Sequence, residues 1–304
     1  MKIKISFFLK GFLLLFFLLL ILWPQTGAQG AAYGLSLWYR IILPSLLPFL
    51  ILCRLMQHYQ KTLAERPLQV AFLGLLCGYP MGAKLLADLC RCKNFSHKKA
   101  AWLLSFCNQA SPMFLFSYLP QMLPPLPGLS RLIFFGVYGS ALLTGLCAAL
   151  LSPLLSCREA EPEEEHVLTA GIEEDPPFIS VLEQAMLDSV EVMIKIGGYM
   201  MLFSMAAYYL RAFPFGNEWI KGVVLGVNEM TTGIAFLSAG SFPTPVLCAL
   251  CIGSAAFGGL SGFAQTQCVL QGSSLSSGRY LFWKGLQGLL AVCLTLLGYG
   301  RIVG

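Results

Sequence analysis

The chain has 304 residues, 57% of them hydrophobic and 12% charged, with a formal net charge of +5. Soluble domains carry roughly 25% charged residues, so the charges here are too few to cover a water-soluble surface, and the mean hydropathy of +0.71 agrees. That balance excludes a soluble enzyme. The basic excess falls in short connecting segments, which is a membrane-topology signal rather than a nucleic-acid footprint, and no nucleic-acid partner is expected.

The start Met1-Lys2-Ile3-Lys4 and the Phe/Leu run to Trp23 have the form of a signal sequence. Residues 5–23 are also long enough to span a bilayer, which takes about 20 apolar residues. Thr26-Gly27-Ala28 offers a small-residue cleavage site. An uncleaved anchor and a cleaved leader both fit, and both put Gln29 outside the cytoplasm. Residues 1–30 are therefore set apart as an N-terminal helix.

A first membrane repeat is expected over 31–155, with apolar segments at 35–56, 68–90, 99–119 and 131–155. Residues 156–177 hold Glu159, Glu161, Glu163, Glu164, Glu165, Glu173, Glu174 and Asp175, the composition of a solvated linker. A second repeat over 178–304 has segments at 180–210, 218–240, 243–270 and 279–300. Laying Gly74-Leu75-Leu76-Cys77-Gly78 over Gly222-Val223-Val224-Leu225-Gly226 also lays Arg131 to Phe135 over Arg279 to Trp283. One register serves both ends, which is the mark of a duplication.

The second segment of each repeat decides the topology. Gly78-Tyr79-Pro80-Met81-Gly82 interrupts 68–90, because proline removes a backbone donor and disfavours helix just before it. A kinked spanning helix and a re-entrant hairpin of two half-helices, each roughly 15 Å long, are both compatible with that break. Charge separates them. Arg54, Lys61 and Arg66 precede the segment, and Arg91, Lys93, Lys98 and Lys99 follow it, so both flanks want the cytoplasm. Only a hairpin satisfies both. Three spans and one hairpin per repeat is an odd number of crossings, so the second repeat runs upside down and the linker is cytoplasmic. The expected fold is an all-α polytopic bundle of two inverted repeats, each with three spanning helices and a re-entrant hairpin, preceded by one N-terminal helix.

Gly/Pro breaks at membrane depth are tolerated where they line protein or water, so they mark a cavity. In the first repeat the candidates are Gly78, Tyr79, Pro80 and Gly82, with Lys84 four residues before Asp88 on one helix face. Lys84 either offers charge to a substrate or snorkels with Asp88 to the surface. Asn108-Gln109-Ala110-Ser111-Pro112 breaks the next helix, and Asn108 and Ser111 supply polar side chains. In the second repeat, Asn228-Glu229-Met230-Thr231-Thr232 takes the place of the Gly-Tyr-Pro turn. Glu229, an acid at membrane depth, is a proton or cation carrier, a substrate acceptor, or the cap of the second half-helix. Ser261 and Gln265, in Gly258 to Gln267, are the counterpart of the Asn/Pro break.

Asp188, Glu191 and Lys195 share a helical face and read as a structural or cytoplasm-facing stripe. The eleven cysteines lie mostly in apolar runs and read as packing residues. Neither metal nor cofactor is expected, and no residue pair has the form of a catalytic nucleophile with its base.

The run Gly78-Tyr79-Pro80-Met81-Gly82-Ala83-Lys84-Leu85, followed by Leu104-Ser105-Phe106-Cys107-Asn108-Gln109-Ala110-Ser111-Pro112, resembles the nucleoside-recognition (Gate) domain family. More narrowly it is similar to the YlbJ-type sporulation integral membrane proteins. Asn228 to Thr231 and Gly259 to Gln265 resemble the second-half pattern, except that Gly262-Phe263 stands where a more polar pair is usual. The resemblance covers roughly residues 31–300. It implies a multipass protein of the plasma membrane of a spore-forming bacterium, related in architecture to concentrative nucleoside transporters. Expected partners are membrane lipid, a small polar, nucleoside-like solute with a coupling ion, and a second copy of the chain. The competing expectation is a non-transporting membrane scaffold for spore envelope assembly.

Overall fold

Proline and glycine decide where the apolar runs stop being helical. A computed structural model describes residues 2–59, 67–91, 96–155, 176–214 and 217–303. The acidic linker, apart from its last two residues, lies outside the described residues, and so does its expected cytoplasmic placement. In the first half, α1 (Lys2–Leu22) is followed by α2 (Pro24–Leu37), a π-helical stretch (Trp38–Ile42) and α3 (Leu43–Tyr59). Pro44 has no N–H to return to the Arg40 carbonyl, and the helix widens just before it. Next come α4 (Pro67–Cys77), α5 (Met81–Arg91) and α6 (His97–Cys107). After the Asn108–Ser111 break, a second π stretch (Phe114–Tyr118) leads into α7 (Leu119–Met122), again just ahead of a proline, Pro120. The rod made by α8 (Leu129–Phe134), a π stretch (Phe135–Gly139) and α9 (Ser140–Leu155) closes the half.

The second half repeats this order as α10 (Phe178–Ala212), α11 (Glu218–Asn228), α12 (Met230–Ser238), α13 (Thr244–Phe257), α14 (Gly259–Leu270) and α15 (Ser277–Ile302). The regular structure of the described residues is entirely helical. Leu129–Leu151, Phe178–Ala212, Thr244–Leu270 and Ser277–Ile302 are each long and apolar enough to cross a bilayer. A fifth crossing results if Leu14–Leu22 and Pro24–Ile42, bent by 105° at Trp23, count as one. Two expected crossings differ from simple rods. The helix over 35–56 is divided by the π stretch, and 99–119 is cut at Asn108–Ser111.

The leader-like Thr26-Gly27-Ala28 lies inside α2 rather than in a connection after the N-terminal helix. Its small residues serve packing. Gly30 lies so close to α10 that a Cβ there would stand 2.7 Å from the Met205 Cα, and one on Gly34 would stand 2.9 Å from the Met200 carbonyl. Small residues are what allow two helix backbones this close in lipid.

Contacts along these helices give their direction. Gly27 meets Tyr209, Gly30 meets Met205, Gly34 meets Met200, and Trp38 donates to the Met193 carbonyl at 2.9 Å. Arg54 closes the series on Asp188 at 2.9 Å. Numbers rise along α2–α3 as they fall along α10, so the opening helices of the two repeats are antiparallel. The closing helices behave alike: Gly128 meets Ile302 and Gly136 meets Thr295, which sets the α8–α9 rod antiparallel to α15. Equivalent elements that run in opposite directions are what an inverted repeat requires.

Both interrupted segments fold as hairpins. A Cβ on Gly82 would stand 3.0 Å from the Gly74 carbonyl. Across α11 and α12, a Cβ on Gly233 would come 2.5 Å from the Gly226 Cα, and Gly222 faces Leu237. The two hairpins open at opposite ends of the bundle. α13 starts just beyond the base of α11–α12, whereas at the far end of the same broken helix Arg91, closing α5, donates to the Val269 carbonyl at 2.9 Å and also to that of Gln271.

In a cysteine-free background, Ser274→Cys and Glu218→Cys will react with an impermeant maleimide from opposite sides of the membrane; reaction from one side only contradicts the inversion. Gly233→Val will lower stability by about 1–3 kcal/mol through overpacking, read as the unfolding midpoint. Gly198→Ala, with nothing within 4 Å of the new Cβ, will not lower it.

Candidate intramembrane site

The hairpin tips meet at the break between α13 and α14. Gly258 and Gly259 have φ of +86° and +70°, a left-handed conformation that favours glycine. A Cβ on Gly258 would stand 2.5 Å from the Tyr79 hydroxyl of the first tip, and one on Gly259 would stand 3.2 Å from the Glu229 Cα of the second. Tyr79 donates to the Ala256 carbonyl at 3.3 Å. Gly78 at the first tip, with φ +74°, lies against Ser111 of the other broken helix.

A cavity of about 50 Å³ lies between the tips. Its polar lining is Tyr79, Ser111, Glu229, Thr231, Ser261 and Gln265, and Ile42, Leu46, Phe114, Ile196, Met200 and Met230 are among its apolar lining residues. Six of the candidates read from sequence thus converge on one space. A second cavity of about 280 Å³ adjoins it, sharing Ile196 and Gln265. This vestibule is lined by Pro80, Lys84, Arg54, Arg91, Asp188, Glu191 and Lys195. Its charges are paired: Arg54 with Asp188, Lys84 with Asp88 at 3.3 Å, Arg91 with Asp88 at 2.6 Å, and Lys195 with Glu191. The Asp188, Glu191 and Lys195 stripe therefore lines the vestibule in addition to pairing.

Glu229 and several other candidates also hold the tips in place. Glu229 is buried, and its two carboxylate oxygens accept from the Thr231 and Thr232 backbone N–H groups, so it caps α12. It has the capping geometry and also faces the cavity. The equivalent N–H of the first hairpin, on Ala83, is capped from outside by the Asn108 Oδ1 at 3.2 Å. Asn108 Nδ2 donates to Thr266 Oγ1 at 3.0 Å and to the Tyr280 hydroxyl at 2.8 Å. Asn108 is therefore a clamp joining α5, α14 and α15 rather than a cavity wall. Gly82 sits beneath it. Thr232 meets Ser204 of α10 at 2.6 Å, and Asn228 donates to the Phe203 carbonyl at 2.8 Å. Tyr118, fully buried, donates to the Thr231 carbonyl at 2.7 Å and ties the broken α7 segment to the second tip.

Sequence reading missed Lys284 and Gln287 of α15. Lys284 is buried at 1% exposure, and its ammonium lies 5.0 Å from the Tyr79 ring. A lysine deep in the apolar run 279–300, without an acid on its own helix, was the available signal. Among the cysteines, Cys53, Cys77, Cys107, Cys248 and Cys251 are buried as expected, whereas Cys268 and Cys293 are exposed on the bundle surface.

Asn108→Ala will leave the Ala83 N–H without its side-chain cap, remove one bond from the Tyr280 hydroxyl, and lower stability by about 1–3 kcal/mol. Thermal unfolding of the purified protein measures it; an unchanged midpoint would rule out the clamp.

No family model matches the chain. It is 29% identical over 211 residues to the sporulation integral membrane protein YlbJ of Bacillus subtilis (strain 168), an alignment covering 60% of this chain and 51% of the relative. The chain thus spans about half the length of the curated relative it matches. No solved structure matches it. The narrower resemblance has a counterpart in this relative, the Gate resemblance has no family match, and the chain is similar to an integral membrane protein of sporulation.

Proposed function

We propose that the protein is a transporter-like carrier of a small polar, nucleoside-like solute, working in the plasma membrane of a spore-forming bacterium during sporulation. One observation carries this reading: two re-entrant tips from opposite ends of the bundle converge on a buried polar cavity that adjoins a larger charged vestibule. Discontinuous helices meeting at the interface of inverted repeats are the usual setting of a solute site in secondary transporters. The sporulation setting rests on the likeness to YlbJ.

At about 50 Å³ the central cavity has room for only a few waters, whereas ligand pockets run to about 300–1,000 Å³. A nucleoside-sized solute therefore needs the tips to part. The hairpin containing Tyr79 is the element to move, because it stands between the two cavities, with Tyr79 lining the centre and Pro80 and Lys84 lining the vestibule. Tyr79, Glu229 and Gln265 would then supply ring stacking, a charged acceptor and an amide. These are binding roles, without a chemical step.

Uptake of labelled nucleosides into proteoliposomes tests the proposal. Wild type will show saturable, solute-selective uptake. Glu229→Gln will lower it roughly tenfold, as expected for loss of a charge-assisted hydrogen bond worth about 1.5–3 kcal/mol. Equal, solute-independent leakage through both proteins defeats the reading.

The small cavity favours one competing reading, a membrane scaffold for spore envelope assembly that keeps a transporter fold without its traffic. It requires that deletion give defective spores while Glu229→Gln leaves sporulation intact.

A further inference from the structure

We infer that Lys284 is a tethered cation: its ammonium occupies a monovalent-cation site built from neutral oxygens at the break of the first-repeat helix, in the place where a carrier of this architecture would take a free coupling ion. Three oxygens surround Lys284 Nζ. They are the Gln287 Oε1 at 2.9 Å, the Gln109 Oε1 at 3.0 Å and the Asn108 carbonyl at 3.3 Å. An ammonium has three N–H donors and no acceptor, so three acceptors match it one for one.

The amide orientations are fixed, which makes the set truly oxygen. Gln109 and Gln287 form a reciprocal pair, with Gln109 Nε2 donating to Gln287 Oε1 at 2.9 Å and Gln287 Nε2 donating to Gln109 Oε1 at 2.8 Å. Gln109 Nε2 also donates to the Phe106 carbonyl at 2.8 Å. Flipping either amide would set oxygen against oxygen, so both carbonyl ends must face the lysine. Among the described residues no carboxylate lies within 4.0 Å of this ammonium, since the acids that form ion pairs are Asp88, Asp188, Glu191 and Glu218.

Position adds to chemistry. Asn108 is the C-cap of α6, so its carbonyl belongs to the negative end of a half-helix. Unwound carbonyls and half-helix C-termini are the groups that coordinate cations in broken-helix carriers. The Tyr79 ring face completes the cage from the first hairpin tip. Lys284 thus brings, from α15, a chain-tethered ammonium to a site otherwise suited to a mobile ion. The assignment does not depend on solute transport.

The test uses the full chain purified in detergent, with thermal unfolding followed in NaCl, NH4Cl and choline chloride at equal ionic strength. Wild type will unfold at the same temperature in all three. Lys284→Ala keeps the oxygens and removes the charge. It will be destabilised in choline and regain about 5 °C, saturably, in Na+ or NH4+, the shift that ligand binding of a few kcal/mol produces in a chain of this size. Lys284→Ala combined with Gln109→Leu, which deletes one oxygen, will lose that response. Two results overturn the inference: Lys284→Ala behaving alike in choline and in both cations, including failure to yield folded protein in all three, or wild type responding as strongly as the variant.

Discussion

Every interruption at the centre of this bundle frees backbone donors and acceptors, and hydrocarbon offers such groups no partner. The breaks at Gly78-Tyr79-Pro80, Asn108–Ser111, Glu229 and Gly258-Gly259 therefore have to be brought together and satisfied by protein. Tyr79 reaches the Ala256 carbonyl, Asn108 caps Ala83, Glu229 caps its own half-helix and Tyr118 closes on Thr231. Each bond ties one break to another or seals a break within itself. The polar centre and the convergence of the tips are one requirement seen from two sides.

The two hairpin tips meet that requirement differently. The second tip caps its half-helix with a carboxylate carried in its own turn, Glu229. The equivalent N–H on the first tip takes a neutral amide from a neighbouring helix, and the charge nearby is the cation Lys284. An inverted pair begins with equivalent surfaces; here one tip carries a carboxylate in its own turn and the other has a lysine from α15 beside its Tyr79 ring.

Glycine placement explains how the hairpins fit in half a bilayer. Gly74 with Gly82, and Gly226 with Gly233, let antiparallel half-helices touch backbone to backbone. Gly27, Gly30 and Gly34 do the same between the opening helices of the repeats. With little gain available from burying apolar side chains against one another in lipid, close backbone approach and van der Waals contact carry the association.

Much of the architecture was legible in the sequence. Hydropathy located the membrane segments, basic flanks favoured a hairpin over a kinked span, and a single register related the halves. The same register carries Leu129, the start of α8, onto Ser277, the start of α15, and Ala83 onto Thr231, the two capped N–H positions. Candidates at the breaks were also legible, because Gly, Pro and amide clusters are conspicuous in apolar runs. The roles of those residues were decided only in three dimensions. Asn108 became a clamp because Tyr280 and Thr266 arrive from other helices, and Thr26 to Ala28 became helix because α10 lies against it. Lys284 has one partner on its own helix turn, the neutral Gln287; its other two oxygens come from Asn108 and Gln109, far away in the chain. Local composition records where a helix must stop, whereas the partner of each freed group depends on which distant segment the fold delivers.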